Sequence, residues 1–236
     1  MTDYNDEYTI WKKWDHNTFG KLSPSKKNYF DTQLELTNKK LPPGTKVLEI
    51  GFGNGEFLAY SKLKKWKVCG TEANKSLVKL AKQNGFNVLN ISTLESVKSN
   101  QYDLIVAFDI FEHLNNAELI CLLKQIKRVS KKNGFLVARF PNADSPFGMP
   151  YQNGDISHLS SIGSEKCRYY SNILRSELIF IGGEKQILFS NSIGGTLRNL
   201  LSIIIIKITD SLVNLLFLRG IKISFSSSNL IWILRF

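Results

Sequence analysis

The sequence is poor in cysteine, and its three cysteines are scattered. Cys69, Cys121 and Cys167 lie far apart in a chain of 236 residues, and an odd number leaves at least one without a disulfide partner. No short-spaced group of cysteines, histidines or carboxylates along the chain predicts a metal site. Such a composition is typical of a reducing compartment, so we predict a cytoplasmic protein.

The sequence also lacks an uninterrupted apolar run of the length that spans a membrane. In its most apolar stretch, residues 196–219, Lys207 and Asp210 leave about eight uncharged residues on either side, whereas a spanning helix needs ~20 predominantly apolar residues. The first 15 residues are polar and acidic, unlike a secretory signal. These absences argue against a simple spanning helix and against secretion.

The stretch 196–219 nevertheless carries apolar residues at helical spacing. Three interpretations remain open: a core helix, a helix at a homodimer interface, or a helix lying in a membrane interface. The third would associate the protein with the inner face of the membrane. The recurring residues are Leu197, Leu200, Leu201, Ile204, Ile205, Ile208, Leu212, Leu215 and Leu216.

Acidic residues are too few to balance the basic ones. The chain has 31 lysines and arginines against 20 aspartates and glutamates, a formal charge of +11. This excess suits a nucleic acid, an anionic membrane surface or a phosphorylated substrate. Because the basic residues concentrate at predicted helix ends, a simple solvated surface explains them as well.

Glycine is dense in one place, the stretch VLEIGFGNGE. Gly51, Gly53 and Gly55 occupy every second position, which lets the backbone approach a ligand without β-carbon clashes. A dinucleotide site would have its third glycine at position 56, where this chain has Glu56. Glu49, two residues before the first glycine, suits a ligand with a positive charge better than a pyrophosphate.

Strand-like and helix-like segments alternate five times with short connections. This order predicts an α/β protein with a parallel sheet and helices on both faces. In such sheets ligands bind beyond the carboxyl ends of the strands, where the glycine turn lies. The predicted strands are KVLEIG, KVCGTE, FNVLNI, YDLIVAFD and GFLVARFP, with later ones in ELIFIGGEKQILFS and NLIWILRF.

A second carboxylate, Glu72, closes the predicted second strand. From that position an acidic side chain can accept hydrogen bonds from both hydroxyls of a ribose. Together with Glu49, it predicts a ligand that has a ribose and a cationic portion. S-adenosylmethionine has both, because it carries an ammonium and a sulfonium group.

The motifs VLEIGFGNGEFL, GTEAN and YDLIVAFDIFEHL resemble, in order and spacing, those of class I S-adenosylmethionine-dependent methyltransferases. The resemblance covers residues 45–142. It implies a Rossmann-like, seven-stranded, mostly parallel sheet and S-adenosylmethionine as the cofactor. It divides the chain into an N-terminal cap segment, residues 1–45, and a methyltransferase domain, residues 46–236.

The same resemblance implies which residues bind the cofactor. Glu49 and the three glycines would form the pocket for its methionine part, and Glu72 would hold its ribose. Other residues would follow the third and fourth strands. These are Ser92, Thr93 and Leu94 beside the adenine, and Phe108 and Asp109 on the far side of the cofactor.

Candidate catalytic residues follow the fourth and fifth strands. The motif FDIFEHL supplies His113, and a long polar loop near 141–163 supplies Asp155 and His158. Loops of this length in compact domains are usually functional or disordered, and histidine titrates nearest neutral pH. We predict His158 as the general base for a hydroxyl acceptor, with Asp155 or Asp144 as the next candidate. We predict that His113 caps or orients the helix after the fourth strand.

The run PNADSPFGMPYQNGDISH resembles a segment of methyltransferases from bacterial surface-polysaccharide gene clusters. This resemblance implies methyl transfer to an oxygen, or a nitrogen, of a small molecule, a saccharide or a lipid-linked saccharide. Two other classes stay open: a non-catalytic S-adenosylmethionine-binding protein and a nucleic-acid methyltransferase. The motif FDIFEHL argues against the last, because amino-methylating DNA enzymes typically carry an Asn/Asp-Pro-Pro-aromatic run there.

Overall fold

Strands and helices alternate along the chain in this computed structural model, which describes residues 17–90, 93–188, 192–218 and 220–236. Single 3₁₀ turns occupy Glu35–Thr37 and Phe111–His113. The strands are β1 (Lys46–Ile50), β2 (Lys67–Glu72), β3 (Val88–Asn90), β4 (Tyr102–Phe108), β5 (Ser130–Pro141), β6 (Glu177–Gly183) and β7 (Asn229–Arg235). The α-helices are α1 (Pro24–Leu34), α2 (Glu56–Leu63), α3 (Lys75–Gln83), α4 (Asn116–Val129), α5 (Met149–Gly154), α6 (Ser164–Ile173) and α7 (Ile193–Leu216).

The strands form one seven-stranded sheet in the order β3-β2-β1-β4-β5-β7-β6. The first five strands pair in parallel, whereas β7 runs antiparallel to both β5 and β6. The strand order reverses between β1 and β4, which opens a crevice at the carboxyl ends of these strands. The predicted Rossmann-like, mostly parallel α/β sheet is confirmed.

The most apolar predicted strand, β4, lies at the centre of the sheet. It pairs with β1 on one side and with β5 on the other. The side chains of Leu104, Ile105, Val106 and Ala107 are fully buried. Because helices cover both faces of a central parallel strand, its sequence is a continuous apolar run rather than an alternation.

Helices cover both faces of the sheet. On one face α4 and α6 pack around Trp232, and on the other α1 and α2 pack through Phe30 and Phe57. Phe30 also stacks on Phe108, with ring centroids 5.7 Å apart. The helix α1 therefore covers the end of β4, beside the crevice. Residues 1–16 of the predicted cap segment lie outside the described residues.

Two segments differ from the sequence prediction. The segment 141–163, predicted as a long loop, contains the short helix α5, which has Pro150 in its first turn, where a missing N–H costs little. Before Pro42-Pro43-Gly44, where the sequence predicts a helix near 24–40, the chain is α-helical only to Leu34. It then tightens into a 3₁₀ turn that ends at Asn38, whose φ of 52° is left-handed.

The strand predicted over 177–190 is also shorter than expected. It ends at Gly183, whose N–H donates to the Ser224 hydroxyl at 2.8 Å. The N–H of Glu184 then donates to the Ser227 hydroxyl at 3.3 Å. These side-chain acceptors direct the chain away from the sheet.

The helix α7 differs most from its prediction. None of its 24 residues is buried, so the core interpretation of 196–219 is wrong. The predicted apolar stripe lies on the outward face, where exposure runs from 42% at Leu200 to 74% at Leu215. By length and hydropathy the helix could cross a membrane, so Lys207 and Asp210 alone do not exclude a spanning helix. The dimer and membrane-interface interpretations remain open.

Candidate active site

The glycine turn adopts a left-handed backbone that glycine accepts without strain. The φ angle is 68° at Gly51, 49° at Gly53 and 73° at Gly55, where α2 begins. A β-carbon at Gly51 would lie 2.0 Å from Cδ1 of Ile110. The backbone angle therefore favours glycine at this position, and a larger residue would also displace the tip of the Ile110 side chain.

Glu49 places a buried carboxyl group just before the glycine turn. Its side chain is 4% exposed, and its Oε2 has no hydrogen-bond partner among the described residues. Burial, followed by the charges of Glu72 and Glu56, raises the pKa of Glu49 well above its ordinary value. A buried carboxyl group with an unsatisfied oxygen is stabilised by a cation or hydrogen-bond donor placed beside it.

Glu72 connects the glycine turn to the start of α3. Its Oε2 accepts from the N–H of Gly53 at 3.2 Å, and its Oε1 accepts from Ala73 at 2.8 Å and Asn74 at 3.0 Å. Burial raises the pKa of Glu72, and these three N–H donors oppose that shift. The carboxylate is thus held in one position, where it can also accept bonds from ligand hydroxyls.

A cavity of about 660 Å³ opens beside the turn. This volume lies in the range of small-molecule sites. Gly55 does not line the cavity, and Ser92 lies outside the described residues. The predicted site residues that line it are Glu49, Gly51, Gly53, Glu72, Thr93, Leu94, Phe108, Asp109, His113, Asp155 and His158.

Asp109 belongs to a polar network beside the cavity. It accepts two hydrogen bonds from Arg139, one from Nε at 2.9 Å and one from Nη2. Nη1 of Arg139 donates to the Tyr29 hydroxyl at 3.1 Å, and that hydroxyl donates to Glu184 at 2.6 Å. Burial raises the pKa of Tyr29, against the lowering effect of Arg139. The network joins α1, β5 and the segments after β4 and β6.

The two histidines meet at the cavity, with ring centroids 4.6 Å apart. Ser157 donates its hydroxyl proton to Asp155, so it accepts from Nδ1 of His113, 3.0 Å away. Nδ1 of His158 lies 3.1 Å from the carbonyl oxygen of Gln152, which can only accept. These bonds assign the proton of each neutral ring to Nδ1, which leaves Nε2 as the basic nitrogen.

Two buried carboxyl groups flank Nε2 of His158. Oδ2 of Asp155 lies 3.6 Å from it, and Oε1 of Glu112 lies 4.0 Å from it. A proton gained by Nε2 would be stabilised by both groups, since charges interact strongly at this range in a buried site. His158 is therefore equipped to accept a proton and to hold it.

Comparison with known proteins identifies the family. Residues 15–173, more than half of the chain, match the family model described as "Methyltransferase domain". The chain belongs to this methyltransferase family. The matched segment includes the glycine turn, Glu72 and His158, whereas α7 lies beyond it. No curated protein matches the sequence.

Solved structures share the fold of this methyltransferase at low sequence identity. A SAM-dependent methyltransferase from Archaeoglobus fulgidus is 18% identical with a TM-score of 0.68, and 98% of this chain covers 100% of that one. A putative methyltransferase of Haloferax volcanii, solved with its Trm112 activator, is 11% identical with a TM-score of 0.64, at 100% and 98% coverage. The 1,6-didemethyltoxoflavin-N1-methyltransferase of Burkholderia thailandensis, with bound S-adenosylhomocysteine, is 11% identical with a TM-score of 0.57, at 99% and 83% coverage.

The fold of the methyltransferase also assembles a group that could hold a metal ion. Ligand atoms of Glu112, His113 and His158 lie within 4.8 Å of one another. The sequence predicted no metal, because the two histidines come from separate segments of the chain. Two imidazoles and a carboxylate are ligands that zinc and iron accept. The same atoms can also transfer a proton. Treatment of the protein with a metal chelator distinguishes a metal site from a proton-transfer site.

Asp144, an alternative candidate base, has a structural role in the methyltransferase. Its Oδ2 accepts from the N–H of Ser164 at 2.7 Å and from the hydroxyl of the same residue. These bonds hold the first turn of α6. Asp144 is not among the residues that line the cavity.

Arg139, Tyr151 and Asn229 are among the lining residues that sequence reasoning missed. Arg139 had a visible signal, because it is the one charged residue in the strand-like run GFLVARFP. Tyr151 and Asn229 had none, since they reach the cavity from α5 and β7. Their positions depend on tertiary packing alone.

Proposed function

We propose that the protein transfers the methyl group of S-adenosylmethionine to a hydroxyl oxygen of a saccharide or similar small molecule. The single observation that carries this proposal is the placement of His158. Its basic Nε2 lies in the same cavity as Glu49 and Glu72, and two carboxyl groups flank it. A hydroxyl acceptor loses a proton on methylation, and this arrangement provides a base to receive it.

The residues at the glycine turn fit the proposed cofactor. Bound S-adenosylmethionine supplies an activated methyl group with a good leaving group. The unsatisfied oxygen of Glu49 suits its ammonium, and the fixed carboxylate of Glu72 suits its ribose hydroxyls. Thr93 and Leu94, which follow β3, line the cavity where an adenine would extend. The fold shared with S-adenosylmethionine-dependent enzymes supports the same assignment.

His158 would act as the general base. Its Nδ1–H stays bonded to the carbonyl oxygen of Gln152, which keeps Nε2 directed at the acceptor. Nε2 takes the hydroxyl proton as the oxygen attacks, and Asp155 and Glu112 stabilise the imidazolium. His113, held through Ser157, packs against the ring of His158 and orients it.

The lining near the histidines favours an acceptor with hydroxyl groups. Tyr151 offers an aromatic face and Asn229 an amide, two groups that bind sugar rings and their hydroxyls. The resemblance to enzymes of surface-polysaccharide clusters supports a saccharide, and a lipid-linked saccharide belongs to the same class.

Transfer of a labelled methyl group tests the proposal. The protein is incubated with S-adenosylmethionine labelled in its methyl group and with sugar nucleotides, lipid-linked saccharides, RNA or DNA, and products are assigned by NMR. We expect an O-methyl sugar. Label in nucleic acid would support the nucleic-acid class instead. Binding of S-adenosylhomocysteine without turnover on any acceptor would support a non-catalytic binding protein.

Cofactor binding should release a proton from Glu49 and should tighten as pH rises. The raised pKa of Glu49 keeps its carboxyl protonated above the pH at which an ordinary glutamate ionises. A ligand ammonium favours the ionised form, so affinity increases until the pH passes the pKa of the ligand-free protein. Calorimetry with S-adenosylhomocysteine in buffers of different ionisation enthalpy measures the released proton.

The variant Glu49→Gln is the control for this titration. It keeps the side-chain shape but has no proton to release, so the buffer dependence should disappear. If wild-type and variant proteins show the same buffer dependence, another group is the source of the proton.

A further inference from the structure

The outward face of α7 is an apolar surface that the described part of the sheet and its helices leaves uncovered. Its stripe residues, Leu197 to Leu216, are 42% to 74% exposed. The residues that turn toward the protein body are instead Asn199, Ile203, Ile206, Asp210 and Val213, all half-buried. The helix thus presents its more apolar side to the surroundings, which is the reverse of a soluble amphipathic helix.

The charges of α7 are arranged around this face. Asp210, the only acidic residue of the helix, accepts from the N–H of Ser226 at 2.7 Å and so points to the body. Arg198 and Lys207 are exposed and, at 100° per residue, fall at opposite edges of the apolar face. Lys222, after the helix, is exposed as well. An apolar face with cationic edges matches an anionic lipid surface.

The helix lies along the protein surface because both of its ends are bonded to the body. Near its start, Asn199 donates to the carbonyl oxygen of Ile187 at 3.0 Å. Near its end, Asn214 pairs with Ile223 through two bonds of 2.9 Å. These anchors are about 22 Å apart at 1.5 Å per residue. A helix tied down at both ends can lie in the plane of a membrane, whereas crossing one would break these bonds.

The segment that anchors α7 also borders the active site. Asn142 donates to the carbonyl oxygens of Ser224 at 2.8 Å and Ser227 at 2.9 Å. The exposed ring of Phe147 packs edge-on against Phe225, with centroids 6.2 Å apart. Asn229, which follows directly, lines the cavity. Residues 223–229 therefore connect the end of α7 to the lining of the cavity.

We propose that α7 lies in the surface of an anionic membrane and holds the mouth of the cavity against the lipid headgroups. An acceptor carried by a lipid would then reach His158 without leaving the bilayer. This second step rests on the proposed function, whereas the docking of α7 does not. A second copy of the chain fits the surface less well, because its own cationic edges would meet those of the first.

Vesicle sedimentation tests the docking. The full chain is mixed at low salt with vesicles of phosphatidylcholine containing phosphatidylglycerol, and with vesicles of phosphatidylcholine alone. We expect the protein to sediment with the anionic vesicles, to be released partly by high salt, and to be removed by alkaline carbonate. Replacing both edge cations, in Arg198→Gln/Lys207→Gln, should weaken partition about fivefold for each charge.

A matched pair of variants locates the lipid contact. Ile204→Glu/Ile208→Glu places two charges in the centre of the apolar face and should lower partition at least about tenfold. Leu63→Glu/Ile173→Glu makes the same change at two exposed sites that end α2 and α6, shortly before β2 and β6 begin, and should bind like wild type. Calorimetry with S-adenosylhomocysteine verifies that both variants are folded.

Four results would overturn the docking proposal. In the first two, the wild-type protein stays in the supernatant at low salt, or the Ile204→Glu/Ile208→Glu variant binds vesicles like its control. In the third, the bound protein resists alkaline carbonate, which indicates a spanning helix. In the fourth, the wild-type protein is a dimer that the Ile204→Glu/Ile208→Glu variant dissociates. None of them depends on methyl transfer. Failure of the docking and failure of the proposed activity are therefore distinguishable.

Discussion

Replacing His158 by alanine should lower kcat by ~10²–10⁴-fold, the usual contribution of a general base. The loss follows from geometry, because Nε2 of His158 is held by Gln152 and flanked by Asp155 and Glu112. Affinity for S-adenosylhomocysteine should stay near that of wild type, since the glycine turn and Glu72 make none of these contacts. The measurement is kcat on the true acceptor, with calorimetry on the same sample.

Two comparisons sharpen this prediction. His113→Ala should reduce kcat less than His158→Ala, because His113 acts through the ring of its neighbour. Treatment with a chelator should leave wild-type kcat unchanged if the histidines transfer a proton. Loss of activity on chelation, restored by a divalent metal, would assign Glu112, His113 and His158 to a metal site. Near-normal kcat in His158→Ala would end the general-base role of this residue.

Replacing Glu72 by alanine should weaken binding of S-adenosylhomocysteine about 10- to 150-fold, the range of hydrogen bonds to a charged group. The variant loses the acceptor for the ribose hydroxyls. It also loses the three N–H bonds that join Gly53 to the start of α3, so the turn itself becomes less ordered. Calorimetry measures the affinity, and thermal unfolding without ligand measures the loss of stability that comes from the missing N–H bonds.

Asp103→Ala is the matched control for Glu72→Ala. Asp103 is another strand carboxylate, near the start of β4. It bonds to Lys131 and to the N–H of Lys46, at the amino ends of the strands. Its removal should lower stability without changing cofactor affinity. If Glu72→Ala binds as tightly as wild type in a folded protein, the ribose is held by other residues.

The sheet and one half of the cavity could be predicted from the sequence because their signals are local. The glycines at positions 51, 53 and 55 require a special backbone, and Glu72 closes the strand-like run KVCGTE, which is recognisable by itself. Period and spacing determine such features with little help from tertiary contacts.

The rest depends on contacts that spacing does not encode. Helical periodicity in 196–219 shows which residues share a face, but it does not show whether that face turns toward the protein body. In this structure the more apolar face turns outward. The tautomer of His113 depends on Ser157, which lies on a different segment. Arg139 was visible as a charge in an apolar strand, yet its partners Asp109 and Tyr29 come from the segment after β4 and from α1.

The contact between Gly51 and Ile110 has a consequence for how the enzyme tolerates change. The glycine turn packs closely against the segment that carries Glu112 and His113, because a β-carbon at Gly51 would lie 2.0 Å from Cδ1 of Ile110. Any side chain at position 51 would displace the tip of the Ile110 side chain, which lies two and three positions before Glu112 and His113. The two sides of the cavity therefore share a packing contact, and we expect a substitution at Gly51 to change acceptor kinetics as well as cofactor binding.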